Sequence, residues 1–286
     1  MTPGLITDAQ NTWCPGCGNF AIEHALKDVC LRLEAEGIPR ETIVLVTGIG
    51  CHAKIADYLQ INSCYTLHGR AVSFATGICI ANPDLHVICC VGDGDTYAEG
   101  IAHLLFAAKR NVNMTVLVHN NRVYGLTKGQ VTPTSPMGYH GKSNPLISGE
   151  ISGEIPFNPL ELLLSAGCSF LARGYTRRQK ELTELIYAGM MHSGFSCIDI
   201  LQICATFLDK TKEYDKQVYV PDVHDPEDFD AACRLVREYR YAHSGNIALG
   251  LVYREKREIF RVGTPYRKQE YFHAASFVQR FVDNRR

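Results

Sequence analysis

Cys14 and Cys17 stand in the run Trp13-Cys-Pro-Gly-Cys-Gly. Pro15 and Gly16 favour a tight turn, which would aim both sulfurs at one centre. Thiolates select Zn²⁺ or iron–sulfur clusters over hard cations. A zinc ribbon usually carries a second cysteine pair at Cys-x₂₋₄-Cys spacing, and the sequence has none. A thioredoxin-like redox pair is the other reading, but no predicted strand precedes the motif. Cys51 follows Gly48-Ile49-Gly50 at a predicted strand end, and Cys204 closes another predicted strand. That common edge favours them as third and fourth ligands of a [4Fe–4S] cluster, which takes four cysteines. Cys197 is the main competitor to Cys204.

A second constellation has hard donors. Gly92-Asp93-Gly94 lies where a strand gives way to a helix, and Asn120-Asn121 closes another strand somewhat under thirty residues later. Open parallel sheets bind ligands at the carboxyl ends of their strands, so Asp93 and Asn121 would flank one site. Glycines let a phosphate approach the backbone, and a helix N-terminus favours an anion. A carboxylate, a carboxamide oxygen and a backbone carbonyl suit Mg²⁺. One charge pair at ~4 Å is worth roughly 4 kcal/mol at an effective dielectric of about 20. A helix end equals only about half a charge. The metal would therefore carry most of the attraction for a diphosphate.

The elements that must position these residues alternate between strand and helix, as in a mostly parallel sheet flanked by helices. Strands are expected over Thr42–Thr47, Leu85–Val91, Met114–His119 and Phe195–Ile203. Helices are expected over Phe20–Glu36, Ala71–Ile80, Tyr97–Lys109, Phe157–Ala166 and Lys180–His192, with Asp95 or Thr96 capping the third. Arg122–Asn158 is rich in Gly, Pro, Ser and Thr and too long for a plain connection, which marks a functional or disordered loop. After Asp209 the chain turns charged, with a helix expected over Asp225–Tyr241 and a strand over Ile247–Tyr253. Two regions follow: a core over 1–208 and an arm over 209–286 that packs on the core or on a partner.

The chain has 286 residues, a formal net charge of −1, 46% hydrophobic and 21% charged residues. That balance gives no support for nucleic acid or a membrane surface as partner. No apolar run reaches membrane-spanning length and no basic-then-apolar signal opens the chain, so a cytoplasmic protein is expected. In such a compartment its twelve cysteines stay reduced. Cys30, Cys64, Cys79, Cys89, Cys90, Cys168, Cys197 and Cys233 read as core thiols.

The Gly-Asp-Gly and Asn-Asn pairing resembles the thiamine diphosphate motif and its pyrophosphate-type fold. By that resemblance Asp93 and Asn121 hold Mg²⁺ by side chain and Val123 by its carbonyl. Gly92, Gly94, Asp95 and the turn Gly125-Leu126-Thr127 surround the diphosphate. Gly50, Cys51, His52 and His68 join that cofactor site, and Arg70 is a further candidate contact. The ordered set Trp-Cys-Pro-Gly-Cys-Gly, Gly-Ile-Gly-Cys, His68-Gly69-Arg70, Gly-Asp-Gly-Asp and Asn-Asn-x-x-Tyr-Gly-Leu-Thr is similar to that of the β subunits of two-subunit 2-oxoacid:ferredoxin oxidoreductases. The likeness covers roughly residues 10–210.

The resemblance implies oxidative decarboxylation of a 2-oxoacid, with coenzyme A taking the acyl group and ferredoxin the electrons, reversible as CO₂ fixation. Likeness to the 2-oxoglutarate subgroup favours 2-oxoglutarate giving succinyl-CoA. Pyruvate or a broad 2-oxoacid range is the alternative. Lys54, three residues after Cys51, is expected to face a substrate carboxylate, and Leu126 to pack on the substrate side chain. The segment 128–145 looks like the loop that family members lay near the active site. Thiamine diphosphate also needs a carboxylate against its aminopyrimidine ring. The chain has room for the diphosphate half only, so a separate α subunit is expected, in an α2β2 heterotetramer. Two other classes compete. A non-redox thiamine diphosphate decarboxylase or carboligase would leave the Trp13–Gly18 motif and Cys51 idle. A non-catalytic zinc- or cluster-binding protein would leave Asp93 and Asn121 idle.

Overall fold

The computed structural model describes residues 4–141, 155–241 and 245–262. Residues 142–145 of the loop and 263–286 of the arm thus lie outside the described residues. The chain opens with helix α1 (Asn19–Ala35) and strand β1 (Ile43–Thr47), then a 3₁₀ turn (Cys51–Lys54), α2 (Ile55–Tyr58) and β2 (Asn62–Tyr65). Next come α3 (Ala71–Ala81), β3 (His86–Gly92), a π-turn (Gly94–Glu99), α4 (Ile101–Arg110) and β4 (Met114–Asn120). A small hairpin, β5 (Val123–Tyr124) and β6 (Gln130–Val131), leads towards α5 (Pro159–Ser165), β7 (Phe170–Tyr175), α6 (Gln179–Met191) and β8 (Phe195–Leu201). The later elements are α7 (Thr211–Gln217), β9 (Val218–Tyr219), α8 (Phe229–Glu238), β10 (Ile247–Ala248) and β11 (Gly250–Arg254).

Seven strands form one sheet in the order β11-β7-β8-β4-β3-β1-β2. All neighbours run parallel except β11, which is antiparallel to β7. The architecture is the α/β class expected. The chain steps from β1 outward to β2 and then back past β1 to β3. The strand order therefore reverses between β1 and β3, and such a switch point opens a crevice at the carboxyl ends of the two strands.

Both faces of the sheet are covered, so its strands read as near-continuous apolar runs. Along β3, Cys89 and Val91 enter one core while Ile88 and Cys90 enter the other. Val116 and Leu117 divide the same way along β4, and Cys197 and Ile198 along β8. One core packs α3, α4, α5 and α8; the other packs α1, α2 and α6. Helix α1 buries Ile22, Leu26, Val29 and Leu33, a stripe at helical spacing. Each such side chain contributes about 1.5–3 kcal/mol by leaving water. The core thiols Cys30, Cys89, Cys90, Cys168 and Cys197 are buried as expected.

Three departures have physical reasons. The helix expected from Tyr97 becomes regular only at Ile101, after the π-turn. Asp95 and Thr96 do not cap it, because the Asp95 carboxylate accepts the Gly69 N–H at 2.7 Å. Strand β7 was not expected, since Phe-Leu-Ala-Arg-Gly-Tyr carries a charge in its middle. Beyond residue 209, α8 begins at Phe229, capped by Asp228, whose carboxylate accepts the Ala231 N–H at 3.0 Å. The expected strand 247–253 is broken at Leu249, and only its second half, β11, joins the main sheet. No helix among the described residues is long and apolar enough to cross a membrane.

The charge in β7 is matched at depth. Arg173 is 1% exposed, and its Nε lies 3.7 Å from Asp199 on β8. Tyr97 and Asn120 each donate to Asp199 Oδ1 at 2.9 Å, and Tyr241 donates to Oδ2. Removing one member of a buried pair leaves the other charge uncompensated. Arg173→Met should cost about 3–5 kcal/mol in denaturant unfolding. A loss under about 1 kcal/mol would mean that the three hydrogen bonds alone satisfy Asp199.

Candidate functional site

A cleft open to solvent lies at the carboxyl ends of β1, β3 and β4. Three stretches line it: Ile49–His52 after β1, Gly92–Asp95 after β3, and His119 with Asn121–Thr127 after β4 (Arg122 not included). His68 adds a fourth side. The thirteen residues expected around the diphosphate and its cation all line this one cleft. Ile49, His119 and Tyr124 line it too, and sequence reasoning assigned none of them. Tyr124 was visible within the Asn-Asn-x-x-Tyr pattern, and His119 only as a polar residue inside a buried strand.

The hard donors sit on a buried floor. Asp93 is 1% exposed and accepts the Thr134 hydroxyl at 2.9 Å. Burial pushes its carboxyl up to about 6, against the pull of Thr132 and Thr134, so a cation beside it would relieve the setting. The Asn121 carboxamide oxygen accepts the Val123 N–H at 3.0 Å, which draws side chain and backbone of the two expected donors together. Arg122 between them has φ 63°, a left-handed conformation that costs a non-glycine residue about 1–3 kcal/mol.

Histidines form the opposite wall. Gly50, at φ 156°, lies against the His52 ring, and a Cβ there would come within 2.6 Å of it. His52 Nε2 stands 3.4 Å from Asp95 Oδ2, and His68 Nδ1 stands 3.6 Å from Asp95 Oδ1. Burial works to raise Asp95, yet His52, the Gly69 N–H and His68 hold its carboxyl below the ordinary value. Asp95 is thus a negative anchor for two imidazoles and a backbone turn. Burial, helped by His52, keeps His119 neutral, with Nδ1 2.8 Å from Asn19 Oδ1. His119 Nε2 has no hydrogen-bond partner among the described residues, whereas His52 Nε2 and His68 Nδ1 already face the Asp95 carboxylate. Buried polar atoms of this kind are usually satisfied by a ligand or water. The free nitrogen of His119, which lines the cleft, is thus open to a bound group. Arg70 does not line the cleft; its guanidinium donates to the Gly69 and Glu99 carbonyls.

The cysteine constellation meets the cleft at Cys51. The Cys17 N–H donates to the Cys14 carbonyl at 3.0 Å, closing a turn in which Gly16 takes φ 79°. Trp13 ties this turn to the end of β1: its indole N–H donates to the Cys51 carbonyl at 2.6 Å. Its ring packs edge-on against Phe20 and Tyr58. The other tie runs to the end of β8. Gly18 N–H donates to the Ile203 carbonyl at 2.9 Å, and Gln202 Nε2 approaches Cys17 Sγ at 3.5 Å.

The four sulfurs consequently feel one another. Burial pushes the Cys17 thiol up to about 11, and Cys204, Cys51 and Cys14 push it the same way. Burial also raises Cys51, as do Cys204 and Cys14, while Lys54 opposes them. Cys197 belongs elsewhere: it lies in the core, within reach of Cys168 and Cys89. No three His, Cys, Asp or Glu side chains among the described residues close around a single ion. A [4Fe–4S] cluster makes a different demand, because each of its thiolates binds a different iron. Crowded thiols raise one another until a metal takes their charge. Cys51 belongs to both constellations. It lines the cleft, and a Cβ added at Gly125 would stand 3.4 Å from its sulfur.

Lys54 does not line the cleft; its ammonium donates to the Thr12 carbonyl at 3.3 Å. Leu126 lines the cleft with its side chain half exposed.

Comparison with known proteins agrees with this geometry. The family described as "Thiamine pyrophosphate enzyme, C-terminal TPP binding domain" matches residues 48–200. The chain is 46% identical over 232 residues to a 2-oxoacid:ferredoxin oxidoreductase subunit beta of Saccharolobus solfataricus, covering 77% of this chain and 74% of that one. It is 41% identical over 205 residues to the 2-oxoglutarate oxidoreductase subunit KorB of Mycobacterium tuberculosis, covering 72% of this chain and 53% of the relative. A solved 2-oxoglutarate:ferredoxin oxidoreductase from Magnetococcus marinus, with 2-oxoglutarate, coenzyme A and succinyl-CoA bound, superposes with TM-score 0.82 at 32% identity. That match covers 96% of this chain and 89% of the other.

The fourth sulfur can be tested directly. If the four cysteines hold a [4Fe–4S] cluster, Cys204→Ala should lose its visible chromophore and its iron, about four per chain, in anaerobically purified protein. Cys197→Ala should keep both. Loss in the Cys197 variant alone would move the fourth ligand into the core.

Proposed function

The chain belongs to the β subunits of the 2-oxoacid:ferredoxin oxidoreductases, and from that premise we propose that it oxidises 2-oxoglutarate to succinyl-CoA together with an α subunit. The bound 2-oxoglutarate and succinyl-CoA of the Magnetococcus enzyme and the name of the Mycobacterium relative support that substrate. The observation that carries the reading is Cys51, whose sulfur is shared between the cleft and the cysteine group.

Thiamine diphosphate, when bound, supplies the electron sink for loss of CO₂. Each residue then has a task. Asp93, Asn121 and the Val123 carbonyl hold Mg²⁺, an all-oxygen set of the kind that cation accepts. His52 and His68, held beside Asp95, line the side of the cleft where the diphosphate would lie. Gly50, Gly92, Gly94 and Gly125 let it approach the backbone, and Thr127 closes the turn beside it. Leu126 packs on the apolar part of the substrate, and Lys54 swings from the Thr12 carbonyl to pair with a carboxylate. Cys14, Cys17, Cys51 and Cys204 hold a [4Fe–4S] cluster next to the cleft. Ferredoxin accepts one electron at a time, so a store for the second is needed beside the reacting carbon. The α subunit brings the carboxylate that faces the aminopyrimidine ring, in an α2β2 assembly.

A broader 2-oxoacid range is the second reading. Relatives from Saccharolobus and Sulfolobus carry the general 2-oxoacid name, which supports it. The two readings separate on the reconstituted αβ pair, assayed with coenzyme A and a one-electron dye. 2-Oxoglutarate should exceed pyruvate in kcat/KM by about tenfold or more, the worth of one charge-assisted contact. Lys54→Ala should erase that preference by raising the KM for 2-oxoglutarate alone. Equal use of both acids by the unaltered enzyme would establish the broad range. Asp93→Ala should abolish Mg²⁺-dependent thiamine diphosphate binding with the iron retained; unchanged affinity would remove Asp93 from the metal.

A further inference from the structure

The arm after residue 209 reaches back beneath the cleft. Arg122 stands between Asn121 and Val123 and is 4% exposed. Its Nη1 donates to the Tyr239 hydroxyl at 3.0 Å and its Nη2 to the Tyr241 carbonyl at 2.7 Å. Its Nε donates to the Thr134 carbonyl at 2.5 Å, and its own carbonyl accepts the Ser135 hydroxyl at 2.6 Å. The guanidinium also lies over the Tyr241 ring, 5.4 Å from its centre. A side chain so held determines the backbone that carries it, and that backbone is left-handed.

Thr134 closes the circuit. Its carbonyl holds Arg122, while its hydroxyl lies 2.9 Å from Asp93 Oδ2 and 3.1 Å from Asn120 Oδ1. The Asn120 amide in turn donates to Asp199, which also accepts the Tyr241 hydroxyl. Both hard-donor segments, one at the end of β3 and the other at the end of β4, are thus fastened to the same two tyrosines. Those tyrosines follow α8, far from either segment in the chain.

We infer that the arm sets the cation's donor geometry: through Arg122, Tyr239 and Tyr241 hold the left-handed turn that brings Asn121 and Val123 to one point. This rests on the proposed Mg²⁺ role of Asp93, Asn121 and Val123. Arg122 is a positioning residue, since it touches neither cation nor substrate. Mg²⁺ demands near-ideal octahedral geometry, whereas Ca²⁺ tolerates irregular sets. A loosened turn should therefore penalise Mg²⁺ more than Ca²⁺, and a general loss of stability should penalise both alike.

The test measures thiamine diphosphate binding to the anaerobically purified αβ complex by calorimetry, titrating Mg²⁺ or Ca²⁺. Arg122→Lys keeps the charge and loses the fork. Its half-saturating Mg²⁺ concentration should rise about tenfold, the equivalent of one hydrogen bond to a charged group. Half-saturating Ca²⁺ should rise clearly less, with iron content unchanged. Tyr239→Phe should shift Mg²⁺ in the same direction by a smaller factor, and it decides the matter if Arg122→Lys yields no soluble complex. A wild-type Mg²⁺ to Ca²⁺ ratio in the variants, or an equal rise for both cations, overturns the inference. Asp93→Ala is measured in parallel: if it still binds the cofactor with Mg²⁺, the cation's placement fails, whatever Arg122 does.

Discussion

Parallel pairing sets Thr47 beside Cys90 and Gly92 beside His119, so the carboxyl ends of β1, β3 and β4 fall on one line. Pairing of Asn120 with Leu201 extends that line to β8. Four of the residues expected to do chemistry lie just beyond it: Cys51, Asp93, Asn121 and Cys204. A slip of one residue in any register would turn each strand's side chains to the opposite core. Cys89 and Cys90 enter opposite cores, and so do Val116 and Leu117, which makes the register hard to mistake. The site is thus a by-product of core packing carried to the ends of the strands. Only the Trp13–Gly18 turn arrives from outside the sheet, and it needs its own fastenings to Cys51 and Ile203.

The floor and wall of the cleft carry opposite electrostatic tasks. On the floor, a buried carboxylate is raised by desolvation and waits for positive charge. In the wall, a second buried carboxylate is held low because two histidines and a backbone N–H surround it. Asp93 and Asp95 are separated by one glycine, yet the π-turn sends them to different partners. In the proposed reading the same short run serves a cation on one side and an anion on the other.

Much of this could be read from residue order. The apolar runs of β1, β3, β4 and β8 mark a buried sheet, and glycine, aspartate, asparagine and cysteine at their ends mark its working edge. The matched domain and the relatives bear out the fold class and the family resemblance. Other features had no local signal. β7 looks polar because Arg173 interrupts it, and Asp199 on the neighbouring strand with the rings of Tyr239 and Tyr241 makes that charge tolerable inside. β2 is a short, mostly exposed edge strand, Asn-Ser-Cys-Tyr, that periodicity does not reveal. Asp95 reads as a helix cap because Asp often is one, and its pull towards Gly69 depends on a residue far back in the chain. Arg122 carries no mark of its left-handed backbone, which glycine or asparagine would have announced.

Trp13 is the only tryptophan of the chain. Its indole is buried, bonded to the Cys51 carbonyl and flanked by Phe20 and Tyr58. Tryptophan emission from this chain therefore comes from a single place, the seam where the N-terminal turn meets the end of β1. Loss of that seam would free the indole N–H to water and redden the spectrum, even while the rest of the sheet stayed closed. The subunit carries a built-in optical gauge of whether its cysteine-bearing segments are docked together.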